Sequence, residues 1–343
     1  MAAFAITVGD PAGIGPEIVI KAVARCRDRL DDGSLRLLAI GCAEALDIAA
    51  DTLGEPRLPR ADDLDAVSGA AVIPIEPGGE VPQIGVVSAA AGRHAYLAIE
   101  KAVELALAGK IDGIVTAPLN KEALNLAGYA YAGHTDMLAH LTGVKGSVMM
   151  LAHGGFRVTH LTTHVALADV PKLLTPERLS HTIGLTLDAL RRLGIEKPRV
   201  GVAALNPHAG EGGIFGRQDI DVTTPIVARY RDQGEDVSGP LPGDTVFVKL
   251  RGGRYDAVVA MYHDQGHIPV KLLGFHTNPE TGAWEALNGV NVTLGLPIIR
   301  TSVDHGTAFD IAGTGIANAD SLVEAIDYAV ALAGSRHGAA AAV

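Results

Sequence analysis

Three histidines that follow predicted strands carry the strongest chemical signal in the sequence. His164 lies in THLTTHV, His208 in NPHAGEGG and His263 in YHDQG, and they are separated by 44 and 55 residues. Three neutral imidazoles suit Zn²⁺ or a similar borderline metal and leave coordination positions open for a substrate. A single histidine is more often a hydrogen-bonded core or surface residue, so the metal prediction depends on the fold bringing the three together.

His263 belongs to a dense polar stretch, residues 262–271, which reads YHDQGHIPVK. The stretch follows an apolar run, residues 256–261, that predicts a buried parallel strand. Open α/β sheets place their chemistry at the carboxyl ends of such strands. Asp264 and Lys271 are therefore candidates for moving a proton, and a solvated turn is the alternative interpretation.

The spacing of His263 and His267 also matches a metal-binding pair one turn apart on a helix. Gly266 and Pro269 oppose a helix here, since glycine loosens the backbone and proline lacks a donor. We therefore expect a loop, and we leave His267 out of the metal site.

Several other side chains could hold an anionic substrate. Arginine and lysine bind phosphate or carboxylate groups strongly. For each residue taken singly, a solvated surface position is the alternative. The candidates are His134, Thr135, Lys271, Asn291 and Arg300.

Two glycine-rich segments could serve a nucleotide. Residues 9–17 (GDPAGIGPE) follow a predicted strand but lack the third glycine of a dinucleotide fingerprint, so this signal is weak. Residues 302–318 (SVDHGTAFDIAGTGIAN) are polar and glycine-rich, and by themselves they predict only a loop.

Strands and helices alternate along most of the chain, which predicts a mostly parallel, doubly wound α/β fold. The predicted helices cover residues 16–29, 43–53, 88–108, 175–193, 219–233 and 321–333, with another that starts at residue 121. The predicted strands cover residues 4–8, 35–40, 71–75, 112–116, 148–151, 157–162, 199–204, 245–248, 256–261, 290–294 and 298–302. The tail after residue 333 is expected to fray.

Composition narrows the class of protein. A chain of 343 residues is long for one core and predicts two domains. A net charge of −11 argues against nucleic acid as the main partner.

Cys26 and Cys42 form no CxxC motif and no disulfide framework, which fits a reducing cytosol. We find no signal peptide and no run near the roughly 18 apolar residues of a membrane span, so we expect a cytoplasmic protein without membrane contact.

Six stretches together resemble the 4-hydroxythreonine-4-phosphate dehydrogenase family, which acts in pyridoxal phosphate (vitamin B6, pyridoxine) biosynthesis. They are GDPAGIGPE, GHTDMLAHLTG, TTHVAL, NPHAGEGGIFG, AMYHDQGHIPVK and GVNVTLGLPIIRTSVDHGTAFDIAG. GDPAGIGPE and HGTAFDIAGTGIAN are also similar to segments of the isocitrate and isopropylmalate dehydrogenase group. The resemblance implies two α/β domains, residues 1–130 with 298–343 and residues 131–297, in a homodimer with a shared active site.

The resemblance also implies roles residue by residue. The metal-ligand positions fall on His164, His208 and His263. The substrate positions fall on His134, Thr135, Lys271, Asn291 and Arg300.

Similarity to the wider dehydrogenase group implies a nucleotide site in the C-terminal segment. An acid at Asp310 favours NAD over NADP, because it opposes a 2′-phosphate. The implied nucleotide contacts are His305, Gly306, Ala308, Asp310 and Asn318.

The implied reaction is the metal-dependent, NAD-linked oxidation of a phosphorylated hydroxy acid, followed by decarboxylation. Zn²⁺ is the expected metal, with Mg²⁺ or Co²⁺ as alternatives. Lys271 or Asp264 would take the hydroxyl proton, and the sequence does not choose between them. The expected substrate is 4-phosphohydroxy-L-threonine, which would yield 3-amino-2-oxopropyl phosphate.

Other members of this family oxidise 4-phospho-D-threonate, D-erythronate 4-phosphate or cyclic cis-dihydrodiols, so these are alternative substrates. Residues 276–287 predict a surface insertion, in which Trp284 would anchor the loop or touch a second subunit. The residues His267 and Pro269 make this stretch of sequence more similar to these other members.

A protein that only binds a metabolite or a metal is an alternative from a different class. An acyl- or phosphoryl-transfer enzyme is another, although the sequence contains no P-loop motif.

Overall fold

A computed structural model of the chain describes residues 1–61, 67–78, 81–277, 279–280 and 284–340. These residues form two compact units, one of residues 1–147 with 296–333 and one of residues 148–295 with the chain from residue 334 onward. The division predicted from the sequence fell earlier, between residues 130 and 131. Met137 and Leu138 account for the difference, because they belong to the same buried core as Ile99 and Leu124 of the first unit.

The strands follow the predicted alternation closely. They are β1 (Ala2–Thr7), β2 (Leu35–Gly41), β3 (Ala70–Pro74), β4 (Gly113–Thr116), β5 (Val148–His153), β6 (Phe156–His160), β7 (Arg199–Ala203), β8 (Asp236–Leu241), β9 (Ala257–Ala260), β10 (Phe275–Thr277), β11 (Trp284–Leu287), β12 (Val290–Leu294) and β13 (Ile299–Val303).

The helices lie between these strands. They are α1 (Gly15–Arg25), α2 (Arg27–Asp31), α3 (Ala43–Leu53), α4 (Ala89–Leu107), α5 (Lys121–Leu126), α6 (His134–Thr142), α7 (Val170–Leu173), α8 (Pro176–Arg192), α9 (Thr224–Asp232), α10 (Gly243–Arg251), α11 (His263–Gly274) and α12 (Asp320–Ala340). None of the helices in the described ranges is long and apolar enough to cross a bilayer.

The first unit contains five parallel strands in the order β3-β2-β1-β4-β13. Phe4 and Ile6 of β1 are fully buried, as expected for a parallel strand that is covered on both faces. Helix α4 begins after Ser88, whose hydroxyl accepts a hydrogen bond from the Ala91 amide. This α/β arrangement confirms the predicted fold class.

The second unit orders its strands β12-β5-β6-β9-β7-β8. β5 is antiparallel to β12 and to β6, which confirms the predicted hairpin, and β6, β9, β7 and β8 run parallel. Neighbouring side chains alternate between two cores: Val259 packs with residues of α8 and α9, and Val258 with residues of α10 and α11. The carboxyl ends of β6, β9 and β7 therefore lie side by side.

Three details of local structure differ from the predictions. Residues 245–248, expected as a strand, lie inside α10, and β8 was not predicted. β8 contains Gly239 and Pro240, which weaken a central strand, but it lies at the edge of its unit, where proline is tolerated. Helix α12 continues to Ala340, although we expected fraying beyond residue 333.

The predicted insertion at residues 276–287 contains an antiparallel hairpin. β10 and β11 pair Phe275 with Leu287 and His276 with Ala286. Residues 278 and 281–283 and the side chain of Trp284 lie outside the described part of the chain. The predicted anchoring or subunit contact of Trp284 therefore stays a prediction.

Candidate active site

The three predicted metal ligands follow three neighbouring parallel strands. His164 follows β6, His263 follows β9 and His208 follows β7. Because β9 lies between β6 and β7, His263 is the central histidine. All three belong to the carboxyl edge of the second unit's sheet, where open α/β sheets place their chemistry.

Two of these histidines are close together. The ring centroids of His164 and His263 lie 5.7 Å apart. The exposed His208 lines a cavity of ≈ 620 Å³ together with Asp264. Within the described residues, no group of three His, Cys, Asp or Glu side chains is close enough to hold one ion. The assignment of the three histidines to one metal therefore stays a prediction.

The hydrogen bonding of His263 fits a metal ligand. Its Nδ1 donates to Oδ1 of Asp264 across 2.7 Å. A carboxylate on one ring nitrogen fixes the tautomer and orientation of the imidazole and leaves Nε2 available to a metal. Together with His164 and His208, the donor set suits a borderline divalent ion.

The stretch that begins at His263 is a helix, and the predicted loop was wrong. Helix α11 contains both Gly266 and Pro269. A Cβ on residue 266 would lie 2.3 Å from Nε2 of His160, so glycine allows the helix to approach β6. Pro269 removes only one N–H donor, and the burial of Val270 holds the turn in place.

His267 consequently lies beside His263, although we had placed it outside the metal site. The two rings stack with centroids 3.6 Å apart, and Nδ1 of His267 donates to the carbonyl oxygen of His263. Burial lowers the pKa of His267 to about 4. Burial also lowers the pKa of His160, whose ring lies 4.6 Å from that of His267, to about 3. Both imidazoles are neutral at physiological pH and add no charge next to His263.

Two predicted substrate ligands belong to the second unit. Lys271 lies on α11, with Nζ 5.0 Å from the centre of the Phe275 ring. Asn291 lies on β12 opposite Leu151, and no described residue donates a hydrogen bond to its buried Oδ1. A buried acceptor without a donor costs about 1–3 kcal/mol. A donor on a ligand would therefore bind favourably at Asn291.

The other predicted substrate ligands belong to the first unit. Arg300 on β13 is only 2% exposed, and its Nη2 donates to Oγ1 of Thr116 at 2.8 Å. Burial lowers the pKa of Arg300 to about 9, so the side chain stays cationic at neutral pH. His134 and the half-buried Thr135 form the first turn of α6. The buried guanidinium of Arg300 is a group that binds a phosphate or carboxylate well.

His134 is a neutral neighbour of this charge. Burial and, second, the positive charge of Arg300 hold the pKa of His134 well below its usual value. Its buried Nε2 has no hydrogen-bond partner among the described residues. A neutral imidazole can donate or accept at that nitrogen according to its tautomer.

The predicted nucleotide residues lie in one loop between β13 and α12. His305 and Gly306 come early in this loop, Ala308 has a left-handed φ of 41°, and Asp310 and Asn318 are exposed. Burial lowers the pKa of His305, which favours its neutral form. The role of these residues in nucleotide binding stays a prediction.

Helix α1, which GDPAGIGPE begins, supports this loop. Glu17 accepts a hydrogen bond from the Gly313 amide. Lys21 donates to the carbonyl oxygens of Gly315 at 2.7 Å and Ala317 at 2.6 Å. The N-terminal motif thus shapes the predicted nucleotide loop, a role that its incomplete fingerprint did not indicate.

The same N-terminal motif contains a buried acid, Asp10. Its Oδ1 accepts from the Ala12 amide at 2.9 Å, and no described residue donates to its Oδ2. Burial raises the pKa of Asp10 to about 6. Asp10 is therefore costly to ionise in the folded protein.

Several residues of the site carried little signal in the sequence. Gln265 accepts from the Met261 amide at 2.6 Å and donates to the Ala204 carbonyl at 2.8 Å, so it joins the ends of β9 and β7. Its position inside YHDQG could have drawn attention to it. Thr116 had no such signal, because Arg300 is 184 residues away along the chain.

The fold and these side chains define a class of protein. Strand-end imidazoles with a carboxylate partner are typical of enzymes that use a divalent metal, and a buried arginine is typical of a site for an anionic substrate. The chain belongs to the family described as pyridoxal phosphate biosynthetic protein PdxA, whose profile matches residues 33–329. It is an oxidoreductase that acts on a CH–OH group.

Individual relatives cover nearly the whole chain. A Bradyrhizobium diazoefficiens protein provisionally named D-threonate 4-phosphate dehydrogenase is 64% identical over 332 residues, 96% of each chain. The D-threonate 4-phosphate dehydrogenase of Salmonella typhimurium is 45% identical over 96% of this chain and 98% of its own. The crystal structure of the 4-hydroxythreonine-4-phosphate dehydrogenase from Klebsiella pneumoniae is similar with a TM-score of 0.81 and 44% identity, covering 97% of this chain and 100% of its own.

Proposed function

We propose that the chain oxidises D-threonate 4-phosphate with NAD in a metal-dependent reaction and that the product loses CO₂. The observation that carries the metal-dependent step is the position of His164, His208 and His263 behind three adjacent parallel strands. The name of the relative that is 64% identical supports this substrate. The sequence alone had favoured 4-phosphohydroxy-L-threonine.

The metal would be held by the three histidines. A bound divalent ion, Zn²⁺ or alternatively Mg²⁺ or Co²⁺, supplies Lewis acidity, and NAD, or alternatively NADP, accepts a hydride. Asp264 orients His263 through the 2.7 Å hydrogen bond to Nδ1. Asp264 and Lys271 are both candidates to take the proton of the substrate hydroxyl.

The substrate's anionic groups would be held mainly by charge. Arg300 offers a buried, fixed guanidinium that suits a phosphate or carboxylate. His134, Thr135, Lys271 and Asn291 would add hydrogen bonds. Because hydrogen bonds between a guanidinium and a phosphate are charge-assisted, we expect the phosphorylated acid to bind far more tightly than its dephosphorylated form.

The chemistry after oxidation follows from the substrate itself. Oxidation at carbon 3 of D-threonate 4-phosphate places a ketone β to the carboxylate. Loss of CO₂ from this β-keto acid leaves dihydroxyacetone phosphate. For NAD, the loop with His305, Gly306, Ala308, Asp310 and Asn318 is the proposed site, and the acid Asp310 favours NAD over NADP.

A second candidate substrate is 4-phosphohydroxy-L-threonine. The description of the family and the name of the Klebsiella pneumoniae protein favour it. The two substrates differ at carbon 2, which carries a hydroxyl in one and an amine in the other. The same oxidation and decarboxylation would then give 3-amino-2-oxopropyl phosphate, a precursor for pyridoxal phosphate.

We also propose that the active enzyme is a homodimer. The cavity that contains His208 and Asp264 has apolar walls at Ile268 and Leu272, which are 56% and 74% exposed. Exposed apolar side chains of this size are typical of protein interfaces. A second copy that covered them would complete the wall of the proposed metal site.

A substrate panel tests the proposed function. Purified protein with NAD and added Zn²⁺ is given D-threonate 4-phosphate, 4-phosphohydroxy-L-threonine, D-erythronate 4-phosphate and a cis-dihydrodiol, with unphosphorylated D-threonate as control. We expect the highest kcat/KM for D-threonate 4-phosphate, with one CO₂ and one dihydroxyacetone phosphate per NADH. A preference for 4-phosphohydroxy-L-threonine would select the second candidate. No NAD reduction with any phosphorylated compound would contradict the proposal.

A further inference from the structure

The segment that carries His208 has an unusual backbone. Residues 208–212 all have positive φ values, and three of them, His208, Ala209 and Glu211, are not glycine. A non-glycine residue in this left-handed region costs on the order of 1–3 kcal/mol. Such a run persists only when its surroundings force it, so something outside the run must hold it in place.

Asp219 holds the residues that immediately precede this run. It is fully buried, and its Oδ1 accepts from the Leu205 amide at 2.9 Å. Its Oδ2 accepts from both the amide and the side-chain Nδ2 of Asn206, at 2.9 and 3.1 Å. The backbone is therefore fixed two residues before His208.

The far side of the loop is fastened to the same asparagine. Nδ2 of Asn206 also donates to Oε1 of Gln218 at 3.0 Å. A Cβ on Gly216 would lie 3.0 Å from Oδ1 of Asn206, so the returning chain packs closely on that side chain. The amide of Phe215, three residues after the run, donates to the carbonyl oxygen of Gly210 inside it at 3.1 Å. Asn206 and Asp219 together close the base of the loop.

We propose that Asp219 is a positioning residue for the metal site, which fixes the left-handed segment and thereby the position of His208. This inference rests on the proposed role of His208 as a metal ligand. A carboxylate is required because its two oxygens accept three N–H groups. An asparagine in its place has one acceptor oxygen and would turn an NH₂ group toward a backbone N–H.

Metal affinity of the purified protein tests this role separately from catalysis. Zn²⁺ affinity is measured by competition with a chromophoric chelator for the wild type, Asp219→Asn, Asn206→Ala and His208→Ala. The visible spectrum of bound Co²⁺ reports the ligand geometry. Asp221→Asn is the matched control, because this exposed acid lies two residues away and pairs with Arg217 at 2.7 Å on the surface.

We expect Asp219→Asn to weaken Zn²⁺ binding about 10–100-fold, the usual effect of losing a partner that orients a ligand. Its Co²⁺ spectrum should change, and Asp221→Asn should match the wild type in both measurements. Asn206→Ala keeps the carboxylate of Asp219 and should weaken Zn²⁺ binding less. It replaces Asp219→Asn as the test if that variant does not fold.

The outcomes separate the two proposals. Equal Zn²⁺ binding by the wild type and His208→Ala would overturn the proposed metal site itself. Loss of binding in His208→Ala with wild-type affinity in Asp219→Asn would overturn only the positioning role. If Asp219→Asn does not fold, wild-type affinity in Asn206→Ala would overturn that role.

Discussion

Nη2 of Arg300 donates a hydrogen bond to Oγ1 of Thr116 across 2.8 Å, and both side chains are buried. Thr116 is the last residue of β4, and Arg300 is the second residue of the adjacent parallel strand β13, where it lies opposite Ile114. A guanidinium in this position is oriented before any ligand arrives. Because a guanidinium is planar and presents a fixed set of donors, this arrangement suits a phosphate or carboxylate.

Replacement of Arg300 by methionine tests this role. We expect the KM for the phosphorylated substrate to rise about tenfold to a hundredfold, since a charge-assisted hydrogen bond contributes about 1.5–3 kcal/mol. The melting temperature is measured alongside, to confirm that the variant is folded. Arg25→Met, which removes an exposed arginine of the same unit, should leave KM unchanged. An unchanged KM in Arg300→Met would remove Arg300 from the substrate site.

Asp10 should make stability depend on pH. Its pKa is raised from 3.8 to about 6 by burial, so the folded state holds the proton more tightly than the unfolded state. Its contribution to stability is therefore present below pH 3.8 and is lost as pH rises through 6. Asp10→Asn, which stays neutral, should be more stable than the wild type above pH 6, by up to about 3 kcal/mol.

Urea unfolding of the wild type and Asp10→Asn at several pH values between 3.5 and 7 would measure this difference. The gain of the variant should grow across the window from pH 3.8 to 6 and then level off. A gain that is the same at every pH would show that ionisation of Asp10 has no part in it.

Replacement of Lys21 should weaken binding of the nucleotide and leave binding of the substrate unchanged. Its ammonium group donates to two carbonyl oxygens of the loop between β13 and α12. Lys21→Met should raise the KM for NAD by about tenfold, as the loop loses two charged hydrogen bonds. The KM for the phosphorylated substrate should stay within twofold, and Lys110→Met, an exposed lysine in the same unit, should change neither constant. A change confined to the substrate KM would contradict the assignment of the loop to NAD.

The sequence predicted a strand or helix correctly where an apolar run and the turn residues at its ends indicated the same element. The strand before His263, β9, was identifiable because all four of its residues are apolar and buried, as expected for a parallel strand covered on both faces. Helix α11 was missed because Gly266 and Pro269 oppose helices locally. Contact with His160 made glycine necessary there, and that contact cannot be seen in the sequence.

The parts of the site that the sequence did not indicate depend on distant contacts. Asp219 lies in an ordinary polar stretch, and its role depends on its burial against Leu205 and Asn206. Likewise, residues 245–248 have strand propensity but form part of helix α10. In this helix Val246 and Leu250 pack against the sheet. Tertiary packing decided these positions, and local propensity did not.

Removal and return of the metal test the central claim most directly. The measurement is the steady-state reduction of NAD with D-threonate 4-phosphate by protein stripped of metal with a chelator, before and after addition of Zn²⁺. We predict that stripping abolishes turnover, that Zn²⁺ restores it in the wild type, and that His208→Ala does not recover. Full turnover by stripped protein, with its metal content measured as negligible, would contradict a metal-dependent dehydrogenase.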